Sequence, residues 1–198
     1  MIIDKNKEVC QCEMYIKNLL IYMKQTERER VFLVKQLPPD INQYTPTPIS
    51  VGDFFESNSS DALKIRQKGN NYHLIKKETN TTHERVEHVI NIKEGEFKVL
   101  SKCTIQFHRK NRYFYPYDKY ICEVDYYLDR LDGYVRVEVE FDNTEGMLNF
   151  IPPAWFGDEI TEINHEIHEN LGLVTFDEMK ERYRQRGIVL EKVMLAKK

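Results

Sequence analysis

In Tyr134-Val135-Arg136-Val137-Glu138-Val139-Glu140-Phe141, apolar and charged side chains alternate without a break from Val135 onward. Successive side chains of a strand point to opposite sides of a sheet. One face of this strand therefore carries Val135, Val137, Val139 and Phe141, and the other carries Arg136, Glu138 and Glu140. Two sheets can be built from such a strand. In a half-exposed sheet the charges face water and the valines face the core. In the inverse arrangement the valines face outward and the charges line an enclosed space.

The same sorting recurs on both sides of this run. Glu27, Glu29 and Lys35 share a face in a strand expected over Glu27–Lys35. Lys64, Arg66 and Lys68 share one in Ala62–Lys68, and His73 and Lys77 share one in Tyr72–Lys77. His83, Arg85 and Glu87 do so in Thr81–Ile92, His108, Lys110 and Arg112 in Thr104–Tyr115, and Glu123 and Asp125 in Tyr120–Leu128. With Ile49–Phe55 these make about eight strands. Gly69-Asn70-Asn71 and Asp132-Gly133 supply short turns, so the pairing is expected to be mostly antiparallel. After residue 26, helical spacing is found over Lys93–Cys103, Glu162–Leu171 and Thr175–Arg186, where Thr175 and Glu178 have the spacing of a capping box. The expected fold is mostly β (α+β): an eight-stranded antiparallel β-barrel with peripheral helices, since closure removes exposed sheet edges.

Periodicity by itself favours the solvated sheet. Two features favour the inverse one. The charged faces hold few of the Ser and Thr that share ordinary solvent faces, and their signs are sorted by strand, acids paired on some and bases clustered on others. Buried charge is costly unless it is paired or bound. A polyphosphate with divalent metal would satisfy such a tunnel: Arg and Lys suit phosphate oxygens, and carboxylates suit the metal.

Composition sets the outer limits. The 198 residues are 41% hydrophobic and 31% charged, a globular profile compatible with one domain. A net charge of -3 argues against a general nucleic-acid coat. Ile16, Leu19, Leu20 and Met23 have amphipathic-helix spacing, but this patch is too short to span a bilayer and lacks a cleavage site. Residues 1–26 are read as an N-terminal helical extension to a domain over 27–198. Cys10, Cys12, Cys103 and Cys122 have no disulfide-framework spacing and are expected to be reduced thiols, which points to the cytoplasm. His165 and His168, beside Glu166 and Glu169, read as a solvated helix face rather than a metal site.

In order along the chain, the motifs resemble those of the CYTH superfamily, the triphosphate tunnel metalloenzymes. Glu27-x-Glu29 is similar to its ExExK signature. Lys64-Ile-Arg66-Gln-Lys68-Gly69 with Tyr72-x-Leu74-x-x-Lys77 is similar to its basic hairpin, and Glu87-x-x-Ile90 to the end of its RxExExxI strand. Lys110-x-Arg112-Tyr113, Glu123-x-Asp125, Glu138-Val139-Glu140 and Pro153-x-Trp155-x-Gly157-x-Glu159-Ile160-Thr161 follow with matching spacing. The resemblance runs from about Glu27 to Leu171. It implies a tunnel that binds a triphosphate through Lys64, Arg66, Lys68, Lys77, Lys110 and Arg112. It implies Mg²⁺ or Mn²⁺ on Glu27, Glu29, Glu138 and Glu140, supported by Glu87, Glu123 and Asp125. Three positions depart from the pattern: Val31 stands where the signature has Lys, His83 where Arg is usual, and Arg85 where a second Glu is usual. Lys35 and Arg85 are therefore the candidates, beside Glu27 and Glu29, for the catalytic set. The implied activity is metal-dependent hydrolysis of tripolyphosphate, ATP or a similar triphosphate. A class IV adenylyl cyclase, a thiamine triphosphatase and a non-catalytic triphosphate sensor are the alternatives. No nucleic-acid or membrane partner is expected, and a homodimer is an allowed assembly.

Overall fold

The computed structural model describes residues 22–55, 62–79 and 84–195; the side chains of residues 22–27, 78, 79, 84 and 85 lie outside that description. Among these residues nine strands form one antiparallel sheet: β1 (Tyr22–Val34), β2 (Thr47–Asp53), β3 (Ala62–Lys68), β4 (Asn71–Thr79), β5 (Glu84–Ile92), β6 (Gln106–Tyr117), β7 (Tyr120–Tyr127), β8 (Val135–Glu140) and β9 (Phe156–Glu159). Among the described residues four α-helices accompany them: α1 (Glu94–Leu100), α2 (Thr144–Asn149), α3 (Asn164–Ile167) and α4 (Phe176–Arg184). The pairing order is β5-β4-β3-β2-β6-β7-β8-β1-β9, and β1 also pairs with β5. β1 is divided lengthwise: Tyr22 to Arg28 pair with β5, and Glu29 to Leu33 pair with β8. Eight strands thus form a ring of pairings, with β9 attached to the end of β1.

Turn chemistry sets the hairpins. Lys68 pairs with Asn71 across a two-residue turn in which Gly69 has φ 58°, a conformation that disfavours a side chain. Asp118 (φ 53°) serves the same end between β6 and β7, where Tyr117 pairs with Tyr120. The capping box of α4 is formed, with Thr175 N–H donating to Glu178 Oε2 (2.8 Å) and Glu178 N–H to Thr175 Oγ1 (3.3 Å).

Burial on both faces of β8 decides between the two sheets. Val135, Val137 and Val139 are at most 1% exposed, yet Arg136 and Glu138 on the opposite face are only 8% and 9% exposed. Charges on a solvated face would not be buried, so the inverse arrangement is the one formed. The valines join Phe32, Val124, Phe150 and Phe156 in a core outside the ring, beneath α2 and β9. Each such side chain contributes about 1.5–3 kcal/mol on burial. A second core contains Val31, Leu33, Tyr127, Tyr134, Ile160, Ile167, Leu171, Met179 and Tyr183. It lies where α3, α4 and the turn at Leu171–Leu173 pack against the ends of β1, β7 and β8.

Several boundaries differ from the expectation. β1 begins at Tyr22, so Tyr22 and Met23 belong to a strand rather than to a helix over Ile16–Met23, and the barrel reaches into the 1–26 segment. Long-range pairing with β5 overrides the local apolar spacing there. The rest of that proposed helix, with Cys10 and Cys12, lies outside the described residues. The helix expected over Glu162–Leu171 is reduced to α3, which ends as His168 leaves the helical conformation (φ -91°, ψ 11°), and Asn170 then turns left-handed (φ 53°). α2, capped by Asn143 Oδ1 accepting from Gly146 N–H, and the four-residue β9 were not foreseen. Both are too short to display a period.

Candidate functional site

The ring encloses a cavity of about 190 Å³, lined by side chains from β1 to β8. Asn164, His165, His168, Glu169, Asn170 and Leu171 lie across one end of it. Alternation delivers the charged residues. In β1 and β8 the direct partners Glu29↔Glu140, Val31↔Glu138 and Leu33↔Arg136 share the inner face. β3 presents Lys64 and Arg66, β4 Lys77, β5 Glu87, and β6 His108, Lys110 and Arg112.

The cations are held by acids from neighbouring strands. Arg112 is the hub. It donates from Nε to Asp125 Oδ1 (2.6 Å) and from Nη2 to Asp125 Oδ2 (2.6 Å), and it also pairs with Glu138 and Glu123. Burial works against its charge, but Asp125 and Glu138 hold its pKa well above the usual value. Lys110 also contacts Asp125, yet burial, with Arg112 beside it, pushes its pKa down to about 8. Lys77 bonds to Glu87 (2.8 Å), with Arg66 at 3.9 Å, and Lys64 lies 3.3 Å from Asp53. Burial lowers the Lys64 pKa against the pull of Asp53. Burial opposes ionisation of Glu138, but Arg136 and Arg112 hold its pKa well below the carboxylate range.

Most of the sequence-derived candidates converge here. Lys64, Arg66, Lys77, Lys110, Arg112, Glu29, Glu87, Glu138 and Glu140 all line the cavity. Asp125, fully buried, sits behind Lys110 and Arg112 as their counter-ion. Burial raises the Glu123 pKa, and its carboxylate faces Arg112. Two candidates fall elsewhere. Lys35 follows the end of β1 at Val34, is exposed, and donates its backbone N–H to Trp155 O (3.0 Å). The register shift between Phe32 and Val34, where β9 joins, breaks the alternation that would have carried it inward. Lys68 does not line the cavity; its Nζ lies 5.0 Å from the Phe114 ring. Glu27 and Arg85 stand opposite one another in the β1–β5 register, but their side chains, like all of His83, lie outside the described residues.

Sequence reasoning passed over several lining residues. Arg136 was visible in the alternation but matched no motif. His108 lines the cavity, and burial, with Lys64 and Lys110, keeps it neutral by lowering its pKa well below the usual value. His168 belongs to the site rather than to a solvated helix face, bonding through Nε2 to Tyr134 Oη and contacting Arg136 through Nδ1 (3.2 Å). The bend at Asn170 that turns this segment over the cavity left no periodic signal.

Among the described residues no three His, Cys, Asp or Glu side chains are gathered as a ready-made metal nest. The donor chemistry nevertheless suits a hard cation. Glu29 and Glu140 are direct cross-strand partners, and Glu138 is next on the same face, giving carboxylate oxygens alone.

No family profile matches the chain. It is 33% identical over 139 residues to an inorganic triphosphatase of Nitrosomonas europaea, spanning 69% of this chain and 90% of that protein. An inorganic triphosphatase of Acetivibrio thermocellus is 27% identical over 130 residues, 65% of this chain and 81% of that protein. The crystal structure of an inorganic triphosphatase superposes with a TM-score of 0.56 at 30% identity, covering 75% of this chain and 98% of that one. The ordered motifs, the inward-facing charges of an eight-strand ring and these similarities agree: the chain belongs to the CYTH superfamily.

Proposed function

We propose that this protein is a metal-dependent inorganic triphosphatase. The observation that carries the reading is the balance of charge in the cavity. Among the described residues, six Lys and Arg (Lys64, Arg66, Lys77, Lys110, Arg112, Arg136) and six Asp and Glu (Glu29, Asp53, Glu87, Glu138, Glu140, Glu169) line it. A simple anion trap would be strongly positive. Here a cation turns to a phosphate oxygen more readily when its carboxylate finds another positive partner. A divalent ion on Glu29, Glu138 and Glu140, joined by Glu27, would provide one. Mg²⁺ or Mn²⁺ fits these oxygen donors, and when bound it supplies neutralisation of the phosphoryl oxygens and activation of water.

The protein's own residues then do the following. Arg112, Lys110, Lys64, Arg66 and Lys77 grip successive phosphate oxygens and hold the chain straight, so that the leaving phosphate and an attacking water lie in line. The buried surroundings strengthen these contacts and exclude bulk water. The cavity of about 190 Å³ is smaller than the ~300–1,000 Å³ typical of drug-sized ligand sites. That favours tripolyphosphate over a nucleotide, whose base and ribose would sit outside it.

The test is turnover by the full chain with Mg²⁺ or Mn²⁺ on tripolyphosphate, ATP and thiamine triphosphate, following phosphate, pyrophosphate and cyclic AMP. The expected result is phosphate release from tripolyphosphate with the highest kcat/KM. Cyclic AMP and pyrophosphate from ATP would make the protein a cyclase. Thermal stabilisation by tripolyphosphate without turnover would make it a sensor. No stabilisation by any polyphosphate would refute the tunnel reading itself.

A further inference from the structure

The geometry points to Arg136 as a phosphate-binding residue of the capped end of the cavity, replacing the cation that Val31 does not provide. This rests on the triphosphatase reading above for the identity of the anion. Val31 is 1% exposed and packed into the second core, so among the described residues the inner face of β1 from Glu29 to Leu33 carries no cation. Across the β1–β8 ladder Val31 pairs with Glu138, and Arg136 is the next residue of β8 on that face. Its Cα lies about 6.6–6.8 Å along the strand from that of Glu138, and a guanidinium stem is long enough to reach back over that distance. It does so: Arg136 Nη2 is 2.6 Å from Glu138 Oε1 and 3.7 Å from Asp125 Oδ2.

The guanidinium is also oriented. Nη1 donates to Asn164 Oδ1 (2.8 Å) and contacts His168 Nδ1 (3.2 Å), both from the segment that caps the cavity. The Tyr134 hydroxyl bonds to the far nitrogen of His168 and to Tyr183 Oη (2.8 Å), which ties this support into the α4 core. Nε of Arg136, by contrast, is buried and has no acceptor among the described residues. A buried donor without an acceptor is costly, and a shift of the guanidinium toward an anion in the cavity that Arg136 lines would satisfy it. Asn164 and His168 are accordingly positioning residues, acting through Arg136.

The experiment measures tripolyphosphate affinity by calorimetry in the presence of EDTA, and steady-state hydrolysis with metal, for wild type, Arg136→Lys, Arg136→Ala and the double variant Val31→Lys/Arg136→Ala. Measuring without metal separates phosphate binding from any effect on carboxylate ligands. Losing one charge-assisted contact predicts affinity about 10- to 100-fold weaker for Arg136→Ala. Arg136→Lys, which keeps the charge and loses the fork, falls between. Moving the cation back to position 31 recovers at least part of the loss. Should the alanine variants not fold, Arg136→Lys alone decides, by a raised KM at unchanged melting temperature. Metal-free affinity and KM unaltered in Arg136→Lys and Arg136→Ala, with only a lower melting temperature, would reduce Arg136 to a structural counter-ion of Glu138 and overturn the inference. Failure of the wild type both to bind tripolyphosphate without metal and to hydrolyse it with Mg²⁺ or Mn²⁺ would instead remove the triphosphatase reading, and this inference with it; if the wild type turns over but binds only with metal, KM in the same variants decides.

Discussion

Replacing Lys110 by Arg should remove a pH dependence that the structure builds into substrate capture. Lys110 is 7% exposed, and burial, with Arg112 adjacent, lowers its pKa from 10.5 to about 8 despite the contact with Asp125. At 1.36 kcal/mol per unit, keeping it charged in the empty cavity costs about 3 kcal/mol. At pH 7 about nine-tenths of the protein carries Lys110 charged, and at pH 9 about one-tenth does. If the ammonium binds a phosphate oxygen, kcat/KM for tripolyphosphate should therefore fall about tenfold between pH 7 and 9. kcat should fall less, because the bound anion raises the pKa in the complex. Stability moves the opposite way. The unfolded chain binds the extra proton between pH 8 and 10.5, so the contribution of Lys110 to stability increases across that window. The assay is kcat/KM from pH 6.5 to 9.5 at constant ionic strength and saturating metal, for wild type and Lys110→Arg. The arginine variant should show no fall by pH 9, since its guanidinium remains charged. A wild-type change of less than twofold, or an identical alkaline limb in Lys110→Arg, would refute the reasoning.

Glu140→Gln and Glu138→Gln should separate metal binding from folding. Glu140 is exposed, so Glu140→Gln should lower metal-dependent turnover about a hundredfold or more while moving Tm by no more than about 2 °C. Glu138 also neutralises Arg112 and Arg136, so Glu138→Gln should cost about 3–5 kcal/mol and lower Tm by about 10 °C, read by calorimetry. Acid stability follows from the same groups: arginine and lysine neighbours depress the pKa values of Glu138 and Glu87 in the fold despite burial. Their stabilisation is complete above the unfolded carboxylate range and is lost as pH falls through and below about 4, so urea midpoints should drop there, less steeply in Glu138→Gln. Thr175→Ala removes a formed capping box and should cost about 1 kcal/mol in denaturant unfolding, leaving turnover unchanged.

The period-two alternation at Tyr134–Phe141 and its equivalents divided each strand into an apolar and a charged face, because a strand's side-chain direction is a local property. For the same reason Lys64, Arg66, Lys77, Lys110, Arg112, Glu29, Glu138 and Glu140 were legible as one set before any packing was known. Alternation did not say which face would be buried; that depended on ring pairing and on the apolar cover of α2 and β9. Lys35 failed as a candidate because a register shift at the end of β1 is produced by β9, some 120 residues away in the chain. His168 and Asn164 were missed because the left-handed turn at Asn170, not a helical period, brings their segment across the cavity. Arg136 shows the division most clearly. Its sequence position assigns it to the inner face of β8. Only the tertiary structure brings its guanidinium to Glu138, the cross-strand partner of Val31, because that placement depends on the β1–β8 register and on Asn164 and His168 from a distant segment.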